Sequence, residues 1–285
     1  MSEVVERFAP SPTGHLHLGH AFSALTAHDA ARAAGGRFLL RIEDIDHTRC
    51  RPEFEAAILE DLAWLGIRWD GPVWRQSERR AHYRAALERL GRLGVLYPCR
   101  CTRADIRAAM SAPQEGARPG VYPGTCRGRP LAEAGPGDAL RLDLHAAFAA
   151  LGGAGAVRAL RCEELGARHH GVHRLDPDRL LAEIGDVVLA RRDIGTSYHI
   201  AVVVDDAAQG VTHVTRGEDL FDFMFLHRLL QALLELPVPR WRHHRLIRDE
   251  QGRRLAKRDE ARSLRRLRAE GARPEDIRAM LGMLT

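Results

Sequence analysis

The first hundred residues alternate between strand and helix patterns, and this alternation limits the possible folds more than any other feature of the chain. Short apolar runs at Glu3–Phe8 and Arg37–Ile42 predict strands. Helical patterns over Leu18–Ala34, Glu53–Leu65 and Arg79–Leu93 separate and follow them. This order favours an α/β fold of the doubly wound type, in which a parallel sheet is covered by helices on both faces.

The α/β pattern is interrupted once and then resumes. The stretch from Cys99 to about Pro136 is loop-rich and carries cysteines, as an inserted subdomain would. Strand patterns return at Val187–Leu189, His199–Val204 and Val211–Thr215. A helix is then predicted over Leu220–Leu234, and the basic remainder of the chain is expected to be helical.

The segment between the first strand and the first helix is the richest in possible ligands: Arg7-Phe-Ala-Pro-Ser-Pro-Thr-Gly-His-Leu-His-Leu-Gly-His20. A helix that begins behind such a loop points its backbone N–H groups and its positive dipole end at one place, which suits a phosphate. His17 and His20 share the opening turn and can face one ligand, and Gly19 allows a close approach to the backbone. The pattern indicates a nucleotide site. The alternatives are an incidental histidine-rich loop and a zinc-binding cluster with His15, although no carboxylate or cysteine lies nearby in sequence.

Several segments, in order, resemble the glutamyl subclass of class I aminoacyl-tRNA synthetases. His17-Leu-Gly-His20 resembles the class I signature HIGH, and its flanks Arg7-Phe-Ala-Pro-Ser-Pro-Thr-Gly14 and Arg41-Ile-Glu-Asp-Ile-Asp46 resemble glutamyl motifs. The later segments Tyr198–Asp206 and Gly210–Asp219 are similar to motifs of the same subclass. The resemblance implies a Rossmann-type catalytic domain that activates glutamate with ATP.

A pocket for glutamate must neutralise a side-chain carboxylate and an ammonium while the α-carboxylate stays free to react. Arginine suits the carboxylate because its planar fork binds two oxygens. Arg7 and Arg216 both lie near the carboxyl ends of predicted strands, where open α/β sheets bind ligands. Val202 departs from the family pattern, because charging members often have asparagine there. The resemblance implies these glutamate-binding residues: Arg7, Phe8, Ala9, Pro10, Ser11, Glu43 (for the ammonium), Tyr198 and Arg216.

Cys99, Cys101 and Cys126 are candidates for one structural Zn²⁺ site in the inserted subdomain. Three thiolates suit a tetrahedral zinc, which takes a fourth ligand, and no histidine occurs between Cys101 and Cys126. Three free thiols are the alternative. The resemblance implies that Tyr122 holds the position of the fourth ligand. The metal would support folding, because the insert has little apolar material of its own.

Lys257 is the only lysine among 43 basic residues. It lies in Arg254-Leu-Ala-Lys-Arg258, which resembles the second class I signature, KMSKS, at its second lysine only. A compact ammonium can enter a phosphate pocket that excludes the broad guanidinium fork. The resemblance therefore implies that Lys257 binds ATP with His17, Gly19 and His20, that His17, His20 and Lys257 are catalytic, and that Mg²⁺ bridges the phosphates.

The net charge of +5 is concentrated near the C-terminus. Arg240–Glu270 holds 12 basic and 5 acidic residues, so the rest of the chain is slightly acidic. A segment of this kind can hold a polyanion, and the alternative is a solvated arginine-rich helix face. We expect the stretch Arg240–Arg268 to bind tRNA phosphates in a salt-dependent way.

Only 27 residues follow Arg258, whereas charging members of the glutamyl subclass carry a helical anticodon-binding region there. The resemblance is therefore to the branch that lacks this region and transfers glutamate to the queuosine base at the wobble position of tRNA(Asp). It implies a monomeric, cytoplasmic ligase whose substrates are L-glutamate, ATP and queuosine-containing tRNA(Asp), and whose activation step needs no tRNA. Two alternatives stay open: a truncated synthetase that charges a tRNA 3′ end, and a catalytically idle nucleotide- or RNA-binding module.

Membrane and secreted classes do not fit the sequence. No apolar run approaches 18 residues, and the N-terminus lacks the basic-then-apolar layout of a signal peptide. We expect four regions along the chain. They are a first Rossmann half, an inserted zinc-binding subdomain, the rest of the insert with the second Rossmann half, and a basic helical segment with the KMSKS-like loop: 1–97, 98–136, 137–239 and 240–285.

Overall fold

The computed structural model of the protein describes residues 3–102, 104–105, 121–248 and 263–283. Its strands β1 to β10 are, in chain order, Val5–Phe8, Arg37–Ile42, Trp74–Arg75, Leu96–Cys99, Ala139–Leu142, Arg161–Glu164, Gly171–Arg174, Val188–Ala190, His213–Gly217 and Arg240–His244. Its helices of six residues or more, α1 to α9, are Leu18–Ala33, Pro52–Trp64, Arg80–Arg92, Leu144–Ala150, Ala154–Ala159, Tyr198–Ala208, Phe223–Leu233, Leu264–Ala269 and Pro274–Met280. The predicted KMSKS-like loop with Lys257 lies outside the described residues.

Two groups of parallel strands form the central layer of the fold. Strand β1 pairs with β2 and β2 with β3, while β9 pairs with β10 and β10 with β6, all in parallel. The two groups meet between β1 and β9, where the Thr212 N–H donates to the Val5 carbonyl at 3.0 Å. The carboxyl ends of β1, β2 and β9 therefore meet at one edge, which is where an open α/β sheet binds ligands.

Helices cover both faces of this central layer. In β2, Phe38 and Leu40 belong to an apolar cluster with α1 and α2, and Leu39 between them belongs to the cluster on the other face, with α3, α6 and α7. Neighbouring residues of a strand point to opposite faces, so a strand apolar at each of these positions is buried on both sides. The predicted doubly wound α/β core is thus confirmed. Leu264 and Ile277 bring the C-terminal helices α8 and α9 into the first cluster.

The prediction of a strand over His199–Val204 is wrong, because these residues lie in helix α6. The run is apolar and β-branched, a composition typical of strands. Its residues Ile200 to Val203 are all buried, since α6 packs into the core cluster on several sides. A short apolar run buried all round has no periodicity that separates a helix from a strand.

The prediction that the chain is helical from residue 240 onward is also wrong at its start. Arg240–His244 is strand β10, which pairs in parallel with β9 from Arg240 beside His213 to His244 beside Gly217. Trp241, almost fully buried, anchors it in the core. The high charge of this segment concealed the alternation of its buried residues, Trp241 and His243, with exposed or half-buried neighbours.

The cysteine-bearing insert adjoins a small antiparallel sheet. Strand β5 lies between β4 and β8, and Cys99 is the last residue of β4. The alanine- and glycine-rich stretch that follows β5 forms helices α4 and α5. Within the described ranges, no helix is both long enough and apolar enough to cross a membrane.

Candidate active site and metal centre

A cavity of about 360 Å³ opens at the edge where β1, β2 and β9 end. It brings together every described residue that the sequence predicted for glutamate or ATP. These residues are Arg7, Phe8, Ala9, Pro10, Ser11, His17, Gly19, His20, Glu43, Tyr198 and Arg216.

His17 and His20 cap the N-terminus of α1 reciprocally. The Gly19 N–H donates to Nδ1 of His17 at 3.0 Å, and the His17 N–H donates to Nδ1 of His20 at 3.2 Å. Both Nδ1 atoms therefore act as acceptors, so each neutral ring carries its proton on Nε2. Two Nε2–H donors at a helix N-terminus are suited to an anionic oxygen.

Gly19 is required by the packing of His17. A Cβ atom at position 19 would lie 2.9 Å from Cε1 of the His17 ring, closer than real contacts allow. The flat ring that approaches this glycine is thus one of the motif's own histidines.

The C-terminal segment returns to the same motif. Ser263 forms an antiparallel bridge with His17, and the Leu264 N–H donates to the Leu16 carbonyl at 2.8 Å. Earlier in the same C-terminal segment, Leu246 and Ile247 line the cavity. The described segments before and after residues 249–262 therefore both lie beside the loop that contains His17.

Arg216 is a buried cation that forms no ion pair with a carboxylate in the described part of the chain. Its Nε donates to Nε2 of His243 at 3.0 Å and its Nη1 to Nδ1 of His227 at 3.1 Å. Its Nη2 donates to the Leu220 carbonyl at 3.0 Å. Burial lowers the pKa of Arg216, an effect that the Tyr198 phenol partly opposes. A negative ligand group would therefore be attracted to it.

Arg7, by contrast, already has an anionic partner. Its Nε donates to Oδ1 of Asp206 at 3.2 Å, and its Nη1 donates to the Thr215 carbonyl at 3.2 Å. The same Asp206 oxygen accepts from Nη1 of Arg41 at 2.7 Å. Burial alone would raise the pKa of Asp206, but the two arginines hold it below its usual value.

Glu43 is the negative pole of the cavity. Its backbone N–H donates to the Pro10 carbonyl at 3.0 Å, which fixes it beside the loop, and its Oε1 accepts from Nη2 of Arg41 at 3.3 Å. Burial raises the pKa of Glu43, although Arg41 and Arg7 act in the opposite direction. A bound ammonium group would favour its charged form and offset this desolvation.

A second, larger cavity of about 740 Å³ adjoins the first. The two share Ser11, Glu43, Tyr198 and Asp219. Tyr198 is the first residue of α6 and lies at the junction. Val202, the departure from the family pattern, lies one turn further along α6 and is buried in the core.

The described residues contain one group of metal-binding side chains close enough to share an ion, and it is Cys99, Cys101 and Cys126, whose Sγ atoms all lie within 4.8 Å of one another. The Tyr122 hydroxyl lies 3.5 Å from Sγ of Cys99 and 3.4 Å from Sγ of Cys101. His15, His17 and His20 form no such group. Three thiols with a phenol beside them fit a tetrahedral Zn²⁺.

The thiols differ in how easily they ionise, since burial raises the pKa of Cys101 while the pKa of Cys126 is lowered. Burial acts to raise the pKa of Cys126, but a hydrogen bond with Tyr122 and the backbone of Arg100 bring it down to about 7. The Arg141 guanidinium lies 3.7 Å above the Tyr122 ring. Burial and the hydrogen bonds with the neighbouring thiols nevertheless raise the pKa of Tyr122, so a ligand role would require the charge of the metal to displace the phenol proton.

Four residues around the cavity were not predicted from the sequence. Arg41 and Asp206 lie within segments that resemble family motifs, but neither residue was predicted to bind a ligand. His227 is the one histidine in helix α7, whose other residues are apolar except Arg228 and Gln231, and His243 belongs to a charged strand. An isolated histidine among the apolar residues of α7 was the only signal that could have drawn attention to His227, and the sequence held no such signal for His243.

Comparisons with known proteins show the family to which the chain belongs. A family model described as tRNA synthetases class I (E and Q), catalytic domain, matches residues 3–127 and 176–285. A curated protein of Rhodobacter capsulatus named glutamyl-Q tRNA(Asp) synthetase is 59% identical over 98% of this chain and 100% of its own length. One of the same name from Nocardia farcinica is 44% identical over 96% of this chain and 82% of its own length.

Solved structures extend the comparison. A glutamate tRNA ligase from Elizabethkingia meningosepticum, determined in complex with its amino acid, is 30% identical with a TM-score of 0.71. The match covers 91% of this chain and 53% of that one, so the chain spans about half the length of that ligase. A methionyl-tRNA synthetase of Mycobacterium tuberculosis, 11% identical with a TM-score of 0.59, shares the fold. The chain belongs to the class I tRNA synthetase (E and Q) catalytic-domain family, in the group whose curated members are named glutamyl-Q tRNA(Asp) synthetase.

Proposed function

We propose that the protein is a ligase that activates L-glutamate with ATP in the absence of tRNA and transfers the glutamyl group to the queuosine base at the wobble position of tRNA(Asp). The observation that carries the activation step is a single cavity in which the buried cation Arg216 and the buried anion Glu43 adjoin the two Nε2–H donors of His17 and His20. The names of near full-length relatives support the acceptor.

The charges of the cavity suit the three ionised groups of glutamate. Arg216, with Arg7 beside it, binds the side-chain carboxylate, and Glu43 binds the ammonium together with the Tyr198 phenol. Ser11 and the backbone of Phe8 to Pro10 line the space between them. The α-carboxylate is left without a cationic partner at this end of the cavity and points to the nucleotide.

Activation follows from this orientation. An oxygen of the α-carboxylate attacks the α-phosphate of ATP, the bond to the leaving pyrophosphate breaks, and glutamyl adenylate forms. The Nε2–H groups of His17 and His20 stabilise the charge that grows on the phosphoryl oxygens, and Gly19 leaves room for the His17 ring beside the bound ATP. Lys257 is assigned to the phosphates from the sequence alone. Mg²⁺ bound with ATP would neutralise part of the phosphate charge.

Transfer requires the acceptor to reach the same carbonyl. A hydroxyl of the queuosine base attacks the acyl carbon, AMP leaves, and the hydroxyl proton is released. The larger cavity, which joins the first at Tyr198 and Glu43, offers a path for the base. The basic stretch Arg240–Arg268 holds tRNA phosphates.

The remaining assignments are part of the same proposal. Cys99, Cys101, Tyr122 and Cys126 hold one structural Zn²⁺, which would cross-link the loop-rich insert. The chain divides into a first Rossmann half (1–97), the zinc-binding insert (98–136), the second half (137–239) and the basic segment (240–285). The enzyme acts as a monomer in the cytoplasm, where its tRNA is found.

The activation step is tested by ATP–pyrophosphate exchange with glutamate and without tRNA. We expect exchange in the wild type, its loss in Arg216→Gln, and near-normal exchange in Arg228→Gln, a control on α7 whose side chain donates instead to the Arg161 carbonyl. Absence of exchange in the folded wild type would favour an idle nucleotide- or RNA-binding module.

A further inference from the structure

Arg216 lies at the centre of a chain of buried hydrogen bonds that runs through three histidines. On one side, His243 lies between Arg216 and Glu164, whose Oε2 is 2.5 Å from Nδ1 of His243. On the other side, His227 lies between Arg216 and His199, with 3.1 Å between Nε2 of His227 and Nδ1 of His199. Glu164 is fully buried and also accepts from the backbone N–H of His243 at 2.8 Å.

The donor inventory fixes the state of both histidines that contact Arg216. A guanidinium has five N–H donors and no acceptor, so Nε2 of His243 and Nδ1 of His227 must each present a lone pair. Both rings are therefore neutral. His243 carries its proton on Nδ1 and donates to Glu164, and His227 carries its proton on Nε2 and donates to His199. We refer to His227 and His243 as the imidazole pair.

The choice of neutral partners has a consequence for the charge of the cavity. Three acceptors fix the orientation of Arg216, but none of them brings a negative charge. Arg7, which lines the same cavity, is instead paired with Asp206. Of the two arginines, Arg216 thus keeps its full charge for a ligand, and the Tyr198 hydroxyl, which also contacts it, is a neutral partner as well.

We propose that His227 and His243 are positioning residues that hold Arg216 in place without neutralising it, and that they thereby set the preference of the cavity for an amino acid with an anionic side chain. This inference rests on the proposed binding of glutamate. It assigns the selectivity for glutamate over its uncharged amide, glutamine, to residues that do not touch the ligand themselves.

The surroundings of the pair agree with this role. Burial, with Arg216 next in importance, lowers the pKa of His227 well below its usual value. Burial also lowers the pKa of His243, although its hydrogen bond with Glu164 opposes the effect. Protonation of either ring would remove an acceptor and place two cations side by side, which the buried setting disfavours.

The test compares a charged and an uncharged replacement of one ring. His227→Asp places a carboxylate beside Nη1 of Arg216, and His227→Asn keeps an acceptor near the position of Nδ1 without adding charge. The matched control is His213→Asn, a half-buried histidine on the same strand as Arg216 with no contact to it. Glutamate and ATP KM values and kcat come from pyrophosphate exchange, and calorimetric titration of glutamate gives affinity without catalysis.

We expect His227→Asp to raise the KM and Kd for glutamate by about tenfold or more, since a charge-assisted hydrogen bond is worth roughly that factor. The KM for ATP should stay near the wild-type value, and the discrimination against glutamine should fall. His227→Asn and His213→Asn should keep near-normal glutamate affinity, and His243→Gln, which retains an acceptor near Nε2, should do the same.

Two results would overturn the proposal. One is an unchanged glutamate affinity in folded His227→Asp, and the other is an equal loss in His227→Asp and His227→Asn, which would indicate a packing role. If His227→Asp does not fold, His227→Leu takes its place, because removal of the acceptor should also weaken glutamate binding relative to His227→Asn. A wild type that binds glutamate but supports no pyrophosphate exchange would contradict the proposed function, while the glutamate affinities of the His227 variants would still test the role of the imidazole pair. A wild type that binds no glutamate would contradict both the proposed function and this inference.

Discussion

Arg41 and Asp206 form a buried ion pair beneath the cavity, with 2.7 Å between Nη1 and Oδ1. Each partner also contacts one of the residues assigned to glutamate, since Asp206 accepts from Arg7 and Arg41 donates to Glu43. The positive and the negative ends of the amino-acid pocket are therefore held by one continuous chain of charges. A change in the middle of this chain should affect both ends.

We expect Asp206→Asn to weaken glutamate binding and to destabilise the fold. It leaves Arg7 and Arg41 buried without their shared anion, and breaking a buried pair costs about 3–5 kcal/mol. The free energy of unfolding in urea and the glutamate KM measure the two effects. Asp178→Asn, which removes an exposed ion pair with Arg158, is the control and should cost less than about 1 kcal/mol. Equal stability of the two variants would contradict the account of the buried chain.

Gly19→Ala should slow activation without unfolding the protein. Its Cβ would displace the His17 ring, which lies within 2.9 Å, and a displacement of this size at a catalytic group costs up to about a hundredfold in rate. We expect kcat for pyrophosphate exchange to fall by about ten- to a hundredfold. Gly137→Ala, where a Cβ meets no atom within 4 Å, should be close to wild type. Normal exchange in Gly19→Ala would show that the position of the His17 ring is not critical.

The zinc assignment predicts one metal ion per chain by elemental analysis. Cys126→Ser should lose the ion and melt at a lower temperature, because the insert would then lack its cross-link. Cys162→Ala, a buried thiol outside the group, should retain it. Tyr122→Phe tests the fourth position, and retention of zinc at wild-type affinity in that variant would exclude the phenol as a ligand.

Asp61 should make stability depend on pH. It is 1% exposed, neither carboxylate oxygen has a hydrogen-bond partner among the described residues, and burial raises its pKa from 3.8 to about 6, against the opposing charge of Arg268. Because the folded-state pKa lies above the unfolded one, its contribution to stability is full below pH 3.8 and is lost as the pH rises through about 6.

Asp61→Asn cannot ionise, so its stability relative to the wild type should be greater at pH 8 than at pH 4.5, by about 1–3 kcal/mol. Denaturant melts at the two pH values measure the difference. Glu88→Gln, which replaces an exposed carboxylate on α3, should show no such change between the two pH values. A constant offset between wild type and Asp61→Asn across this range would contradict the raised pKa.

The parts of the site that could be predicted from the sequence are those with local signals. The loop from Arg7 to His20 is contiguous, and its histidines, glycine and arginine carry their chemistry within a few residues of a helix N-terminus. His227 and His243 could not be found in this way, because they meet Arg216 only through the pairing of β9 with β10 and the packing of α7. The prediction of a strand over His199–Val204 was wrong for the same reason, because tertiary packing decides whether a short apolar run forms a helix or a strand.

The central claim is that the acceptor of the glutamyl group is queuosine, and glutamylation of two matched tRNA(Asp) samples tests it most directly. One sample carries queuosine and the other carries unmodified guanosine at the wobble position, and both lack the 3′-terminal adenosine, so that charging at the 3′ end is impossible. We predict that labelled glutamate is incorporated into the queuosine-containing tRNA and not into the other. Equal incorporation into both, or incorporation into neither when the same queuosine-containing tRNA with an intact 3′ end is glutamylated, would contradict the account.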